Sequence, residues 1–318
     1  MKIAMISEAD VVRHATRTMA FDAVRTALVA AATGESSLFP VSIGAGAPAE
    51  SMVAIKSGFL AGPAAVGVKV GTYWPDNSKL GVPNHGSTTL LLDPQTGLPR
   101  ALVNAGALNG LRTAAANAVA TEALARADAK TLLIVGPGHQ ARCEVRALCD
   151  VRSFDQVLVW GRSQEKATSF ASAMASEGLP CEVAESLESA VQKADVITTA
   201  TTATAPIFPS DWVQPGTHIS AMGADKAGKQ ELAPELLQRA HLFADNPTQS
   251  QEIGEFQHAG DSQVTAIGDV LRGVAQGRES ASEATVFDSS GIALQDIAIA
   301  GAVWDALREA GELAWVDF

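Results

Sequence analysis

Three charged residues stand where an ordinary surface charge would not. Lys69 lies in AVGVKVGTYW, between valines that read as a core strand. A buried ammonium is costly unless paired and its pKa falls, which suits acid–base work. Arg112 follows Leu108-Asn109-Gly110-Leu111 and opens an alanine-rich run; a guanidinium is the natural bidentate partner of a carboxylate. Asp225 follows Ser220-Ala221-Met222-Gly223-Ala224, at the C-terminal end of a predicted parallel strand, where such sheets bind ligands. Taken singly, each also fits a structural salt bridge.

A fourth feature is the loop Gly136-Pro137-Gly138-His139-Gln140-Ala141, a G-x-G-x-x-A pattern between a predicted strand and a predicted helix. Gly136 permits the tight turn, Gly138 lets a pyrophosphate approach the backbone, and Ala141 allows close helix–strand packing. As a bare string the pattern is also met in ordinary glycine turns; its strand–turn–helix context points to a dinucleotide. The next strand ends Val159-Trp160-Gly161-Arg162-Ser163, with no acid until Glu165 to hold a ribose 2′-hydroxyl. Arg162, helped by Ser163 and Lys166, suits a 2′-phosphate. NADPH is the expected cofactor and NADH the alternative, the competing reading of Arg162 being a solvated loop arginine.

These residues need a scaffold. The 318 residues are 47% hydrophobic and 18% charged with a net charge of −12, a globular composition with room for two domains. Residues 1–110 hold short β-like runs at 52–56, 65–70, 88–92 and 100–104, with a hairpin connection at 93–97 and an amphipathic stretch from Phe21 to Ala32. After Arg112 strands at 131–136, 156–161, 194–201, 217–222, 241–245 and 285–290 alternate with helices such as 140–149 and 164–176. That is a parallel sheet with crossover helices. Gly291 to Gly311 reads as a long helix returning to the first domain. The expectation is α/β: a Rossmann-type domain over 116–294, and an α+β substrate-binding and dimerisation domain over 1–115 joined by the C-terminal helix 295–318.

Composition narrows the partners. No Lys/Arg run offers the positive field a nucleic acid needs. No stretch is apolar enough for a membrane span, and Glu8 and Asp10 interrupt the N-terminal region where a signal peptide has its apolar core. Cys143, Cys149 and Cys181 form no C-x-x-C pair and no zinc spacing with histidine, so reduced thiols, no metal and a cytoplasmic location are expected.

Nearly the whole chain resembles the ornithine cyclodeaminase/μ-crystallin family. The resemblance is carried by GVKVGTYWPDN (67–77), GVPNHGSTTLLLDPQTGLPRALVNAG (81–106), LRTAAANAVA (111–120), GPGHQA (136–141), GTHISAMGADKAGKQEL (216–232) and VFDSSGIALQD (286–296). NHGST, GTHISAMGAD, GKQEL and FDSSGIALQD are most similar to the ketimine-reductase branch, which reduces Δ1-pyrroline-2-carboxylate, and often Δ1-piperideine-2-carboxylate, to L-proline and L-pipecolate. The resemblance implies a substrate-facing lysine at Lys69, a carboxylate-binding arginine at Arg112 and a general acid/base at Asp225. It implies cofactor contacts from Asn84, His139, Gln140, Thr201, Met222, Lys229 and Ser289, with Ser290 and Gly291 beside the substrate. It also implies a homodimer with the active site between domains.

Two departures weigh against a cyclodeaminase. Val41 to Ala47 lacks the extra substrate-binding arginine of those enzymes, and Gly161-Arg162 replaces their adenosine-binding acid. Lys56 offers a replacement charge, against the simpler reading of an exposed strand lysine; His85 is a second polar group, against a hydrogen-bonded loop histidine. The expected reaction is hydride transfer to the C2 of a cyclic imine, a small-molecule imino acid. The rivals are ornithine cyclodeaminase, an alanine-dehydrogenase-like enzyme, and a μ-crystallin-like protein that binds NADPH and a small ligand.

Overall fold

The computed structural model describes residues 1–47, 50–62 and 65–318. It divides into two compact units, Met1–Arg112 with Ile292–Phe318, and Thr113–Gly291.

The first unit is built on a sheet whose strands run in the order Ala314–Asp317, Lys2–Ile6, Pro99–Asn104, His85–Leu92, Ala65–Tyr73, Met52–Leu60 and Ser37–Leu38, with Ser42–Ala45 also pairing to Met52–Leu60. The four runs read from the sequence all form, each longer than its apolar core. Asp93 makes the hairpin turn: its Oδ1 accepts from the Gln95 and Thr96 N–H groups and the Thr96 hydroxyl. The strands Lys2–Ile6 and Ala314–Asp317 were not expected. They are the two chain termini paired antiparallel, and local patterning carries no sign of a partner three hundred residues away.

Helices Arg17–Ala32 and Ala293–Ala310 pack on each other and on this sheet. Strand side chains alternate, so Lys56, Gly58 and Leu60 share a face with Gly67 and Lys69 across the antiparallel register. Two glycines on that face set the helix distance. A Cβ at Gly67 would stand 3.0 Å from the Ile297 side chain and 3.0 Å from the Leu90 carbonyl; one at Gly58, its register partner, would stand 3.1 Å from Leu294. The start of the C-terminal helix therefore rests almost on bare backbone, with Gln295 and Asp296 in its first turn. The other face carries Val53, Val66, Val68, Val70, Leu90 and Leu102, half-buried, and the exposed Ile55.

The second unit is an eight-stranded sheet in the order Cys181–Val183, Gln156–Trp160, Thr131–Val135, Val196–Thr199, His218–Ala221, Thr285–Asp288, His241–Ala244 and Val264–Ala266. Every pairing is parallel. All six predicted strands are present and largely buried, with Val196–Thr199, His218–Ala221 and Thr285–Asp288 buried throughout, as in a sheet covered on both sides. The two that were missed, Cys181–Val183 and Val264–Ala266, are edge strands of three residues each, too short to show a period. Strand order reverses beside Thr131–Val135, which opens a crevice at the strands' C-terminal ends.

One element was placed wrongly. Arg112 does not open its helix, which spans Gly106–Leu124. The Asn104 side chain accepts from the Gly106 N–H, and the helix starts six residues earlier, with Asn109 and Gly110 inside it. No helix among the described residues is long and apolar enough to cross a membrane.

Candidate active site

In the first unit, Lys69 and Arg112 meet on a residue that sequence reasoning did not single out. The Lys69 Nζ donates to Asp296 Oδ1 at 2.8 Å and to Asn109 Oδ1 at 2.8 Å. Arg112 Nε lies 3.3 Å from the same Asp296 oxygen, while its two terminal nitrogens donate to Gln295 Oε1 and Asn109 Oδ1. Because the helix begins at Gly106, both residues lie within it: Asn109 and Arg112 are about one turn apart and share a helix face. Asp296 reaches them because the glycines at 58 and 67 let its helix descend. All three charged groups are shielded from water, with side chains 5% to 12% exposed.

The electrostatics follow from this burial. Burial pulls the Lys69 ammonium down to about 8; Asp296 opposes that fall, while Arg112 and Lys56 reinforce it. Burial also works against the Asp296 carboxylate, but Lys69 and Arg112 hold it below its usual range. The trio holds two cations and one anion, and so is one positive charge in excess. Atoms around it lack hydrogen-bond partners among the described residues: Asp296 Oδ2, Arg112 Nε, and the hydroxyls of Ser87 and Thr89. Thr89 stands opposite Lys69 in the strand register. A cationic, under-bonded cluster of this kind suits a small carboxylate with further polar groups.

Lys56 is not an exposed strand lysine. It is half-buried, directly opposite Lys69 on the next strand, and its charge acts on both Lys69 and Asp296. His85 is exposed and its ring lies 4.8 Å from that of Tyr73. Asn84, expected at the cofactor, spends its side chain on its own loop: Oδ1 accepts from the Ser78 N–H and Nδ2 donates to the Pro75 carbonyl.

In the second unit, Gly136 adopts φ 103°, and a Cβ there would lie 2.7 Å from the Ala200 carbonyl, so only glycine fits. Gly138 is the N-cap of helix His139–Val151, with no side-chain cap, and its Cβ would enter open space. The positive helix end thus faces a cradle without side chains, which fits a pyrophosphate. Ala141 is fully buried, and His139 is exposed. The Gln140 amide donates to Glu144 Oε1 at 2.7 Å, and the Asn117 amide donates to Glu144 Oε2 at 2.8 Å. A Cβ at Gly161 would come 2.5 Å from Pro137, so the residue after this strand must be glycine while proline holds the loop. Ser163 caps helix Gln164–Ser176 by accepting from the Lys166 N–H, and Arg162 is exposed beside it.

The loops after the next two strands are tied by Glu231, a second residue that went unnoticed. Its fully buried carboxylate accepts from the Thr201 N–H and hydroxyl, the Thr199 hydroxyl and the Gly223 N–H. Asp225 is exposed on this loop and pairs with Lys229 at 2.6 Å; Lys229 also donates to the Gly223 carbonyl. Met222 is buried. Asp245 gathers the last segment, accepting from the Ser289 and Ser290 hydroxyls and the Gly291 N–H. Lys69 and Arg112 are therefore brought together in one unit, while Asp225 and the dinucleotide loop belong to the other. A lone acid in the apolar run GIALQDIAIAGAVW was the available signal for Asp296; Glu231 carries none, since its partners Thr199, Thr201 and Glu255 are distant in the sequence. No group of metal-ligating side chains occurs among the described residues.

The sequence model of the ornithine cyclodeaminase/mu-crystallin family matches residues 1–311. The chain belongs to that family. Within it, the chain is 38% identical over 313 residues to the iminosuccinate reductase of Paracoccus denitrificans, covering 96% of this chain and 97% of that protein. It is 35% identical over 268 residues to a Delta(1)-pyrroline-2-carboxylate reductase of Bacillus cereus, covering 80% and 81%. Among solved structures, that of the P. denitrificans iminosuccinate reductase in complex with NAD+ has a TM-score of 0.95 at 37% identity over 100% of both chains. The Thermococcus litoralis Delta(1)-pyrroline-2-carboxylate reductase in complex with NADH and L-proline has a TM-score of 0.91 at 28% identity over 98% and 99%. The family thus reaches beyond the reductases of cyclic ketimines that the motifs pointed to.

Proposed function

We propose that the protein reduces the C=N bond of an α-imino acid to the L-amino acid, with NADPH as donor and NADH as the alternative. The observation that carries this reading is the buried Lys69–Asp296–Arg112 cluster, one positive charge in excess and lined by unpartnered polar atoms. A bound nicotinamide supplies hydride to C2; the nitrogen takes a proton, so C=N becomes CH–NH. Arg112 holds the substrate carboxylate. Lys69, as the ammonium, orients and polarises the substrate. Asp225 stabilises the iminium or relays its proton. Help of this acid–base kind contributes about 10²–10⁴-fold, and positioning most of the remainder. Arg162 and the absence of an acid at Gly161 favour a 2′-phosphate; the neighbours solved with NAD+ or NADH favour the alternative. The half-buried apolar sheet face of the first unit suits the homodimer that the family resemblance implies.

The first substrate is Δ1-pyrroline-2-carboxylate, giving L-proline, with Δ1-piperideine-2-carboxylate beside it; relatives of that activity support it. A second substrate, iminosuccinate, is favoured by Lys56, a cation in register with Lys69 that suits a second carboxylate, and by the iminosuccinate reductase relative. The deciding assay follows 340 nm absorbance with NADPH or NADH and Δ1-pyrroline-2-carboxylate, iminosuccinate, pyruvate plus ammonia, or L-ornithine. Turnover of the cyclic imine alone supports the first substrate; turnover of iminosuccinate, lost in Lys56→Met, supports the second. Ammonia from ornithine makes it a cyclodeaminase, amination of pyruvate an alanine-dehydrogenase-like enzyme, and inertness with tight nucleotide binding a binding protein.

A further inference from the structure

The family resemblance implies cofactor contacts from Thr201, Met222 and Lys229, and the buried carboxylate that ties their loops has no part in the mechanism above. Glu231 is fully buried, and each of its oxygens accepts two hydrogen bonds. Oε1 takes the Thr201 N–H at 2.8 Å and hydroxyl at 2.7 Å; Oε2 takes the Thr199 hydroxyl at 2.7 Å and the Gly223 N–H at 2.9 Å. These donors come from the end of strand Val196–Thr199 and the loop leaving it, and from the loop leaving strand His218–Ala221. Gly223 is glycine for this reason: a Cβ there would stand 2.6 Å from the Glu231 carboxyl carbon and 2.5 Å from the Thr201 carbonyl. Glu231 is fixed from behind, its own N–H donating to both oxygens of buried Glu255. From the same loop, Lys229 reaches back to the Gly223 carbonyl and to Asp225.

We propose that Glu231 is a positioning residue: it locks the loops of Thr201 and Gly223 into one rigid floor for the nicotinamide half of the cofactor. It touches neither substrate nor cofactor. A buried carboxylate is a costly way to join two loops unless its bonds are all made, and here all four acceptor sites are used. The glycine loop at 136–138 closes on its own backbone, the Gly138 N–H donating to the Gly136 carbonyl, and takes no hydrogen bond from Glu231, so loss of Glu231 should weigh more on the nicotinamide half than on the pyrophosphate half. This rests on the reading of Thr201 and Met222 as cofactor contacts, not on the identity of the imine.

The test is a substrate-free titration of tryptophan emission with NADH and with ADP-ribose, which lacks the nicotinamide. Glu231→Gln keeps the size but turns an amide N–H toward one of the two backbone N–H groups, which cannot rotate away. The expected result is an about tenfold weaker Kd for NADH with the ADP-ribose Kd unchanged within about twofold. Loss of both in parallel would make Glu231 a folding residue only, and no change in either would remove it from the site. Thr199→Val deletes one bond to the same carboxylate with little change of shape, and covers a Glu231 variant that fails to fold. It should cost about threefold for NADH alone, and a parallel loss for both nucleotides would again overturn the proposal. Because no imine is present, failure of the substrate assay leaves this result readable.

Discussion

Replacing Asp296 with asparagine should convert the enzyme into one that works only at acid pH. In the native cluster Lys69 titrates at about 8, so at pH 7 the ammonium outnumbers the free amine by about ten to one. Its proton is held there against burial by a carboxylate 2.8 Å away. Removing one partner of a buried pair leaves an uncompensated charge worth about 3–5 kcal/mol. Lys69 relieves this by losing its proton, since Arg112 cannot. At about 1.4 kcal/mol per tenfold, a share of about 2.7 kcal/mol moves the midpoint down by about two pH units, to about 6. The active ammonium then falls from about nine-tenths of the molecules to about one-tenth at pH 7. Profiles of kcat/KM between pH 5 and 9 should show a descending limb near 8 in the native enzyme and near 6 in Asp296→Asn. The variant should lose about tenfold at pH 7 and recover most of it at pH 5.5. A limb that stays within half a unit of its native position would refute the argument, because Asp296 would then not be what keeps Lys69 charged.

Other consequences can be checked separately. Arg162→Ala should weaken NADPH about tenfold and leave NADH within about twofold, as expected for one charge-assisted contact to a 2′-phosphate; equal effects on both would return Arg162 to a solvated loop residue. Gly67→Ala places a methyl 3.0 Å from both Ile297 and the immovable Leu90 carbonyl, and should cost about 1–3 kcal/mol in denaturant unfolding. The same variant should lower the Lys69 limb, because the helix bearing Asp296 is pushed outward. Burial raises Glu255 to about 7. The folded state therefore binds its proton more tightly than the unfolded chain, and stability falls as pH rises from about 4.5 to 7 and then levels off. Glu255→Gln should remove that decline. If the difference in unfolding free energy between the two proteins is the same at pH 5 and pH 7.5, the carboxyl does not titrate in that window.

Much of this protein was legible in one dimension. The parallel sheet followed from apolar strand runs alternating with helices, and the dinucleotide loop from glycines placed between a strand and a helix. Lys69 and Arg112 were conspicuous as charges in apolar text. Each of these signals is local: a strand period, a turn conformation or a burial mismatch is set by a few neighbouring residues. Their partners were not legible. Asp296 is 227 residues from Lys69, and becomes its counter-ion only because Gly58 and Gly67 admit the returning helix. Glu231 looks like any charged residue until Thr199, Thr201 and Gly223 are brought around it. The pairing of the chain termini, the register that sets Lys56 against Lys69, and the split of candidate residues between two units are likewise contacts across the chain. The residue types able to do chemistry were written in the sequence. Which charge each one faces, and hence its protonation, was decided by tertiary packing, because an electrostatic environment is a property of distance in space and not along the chain.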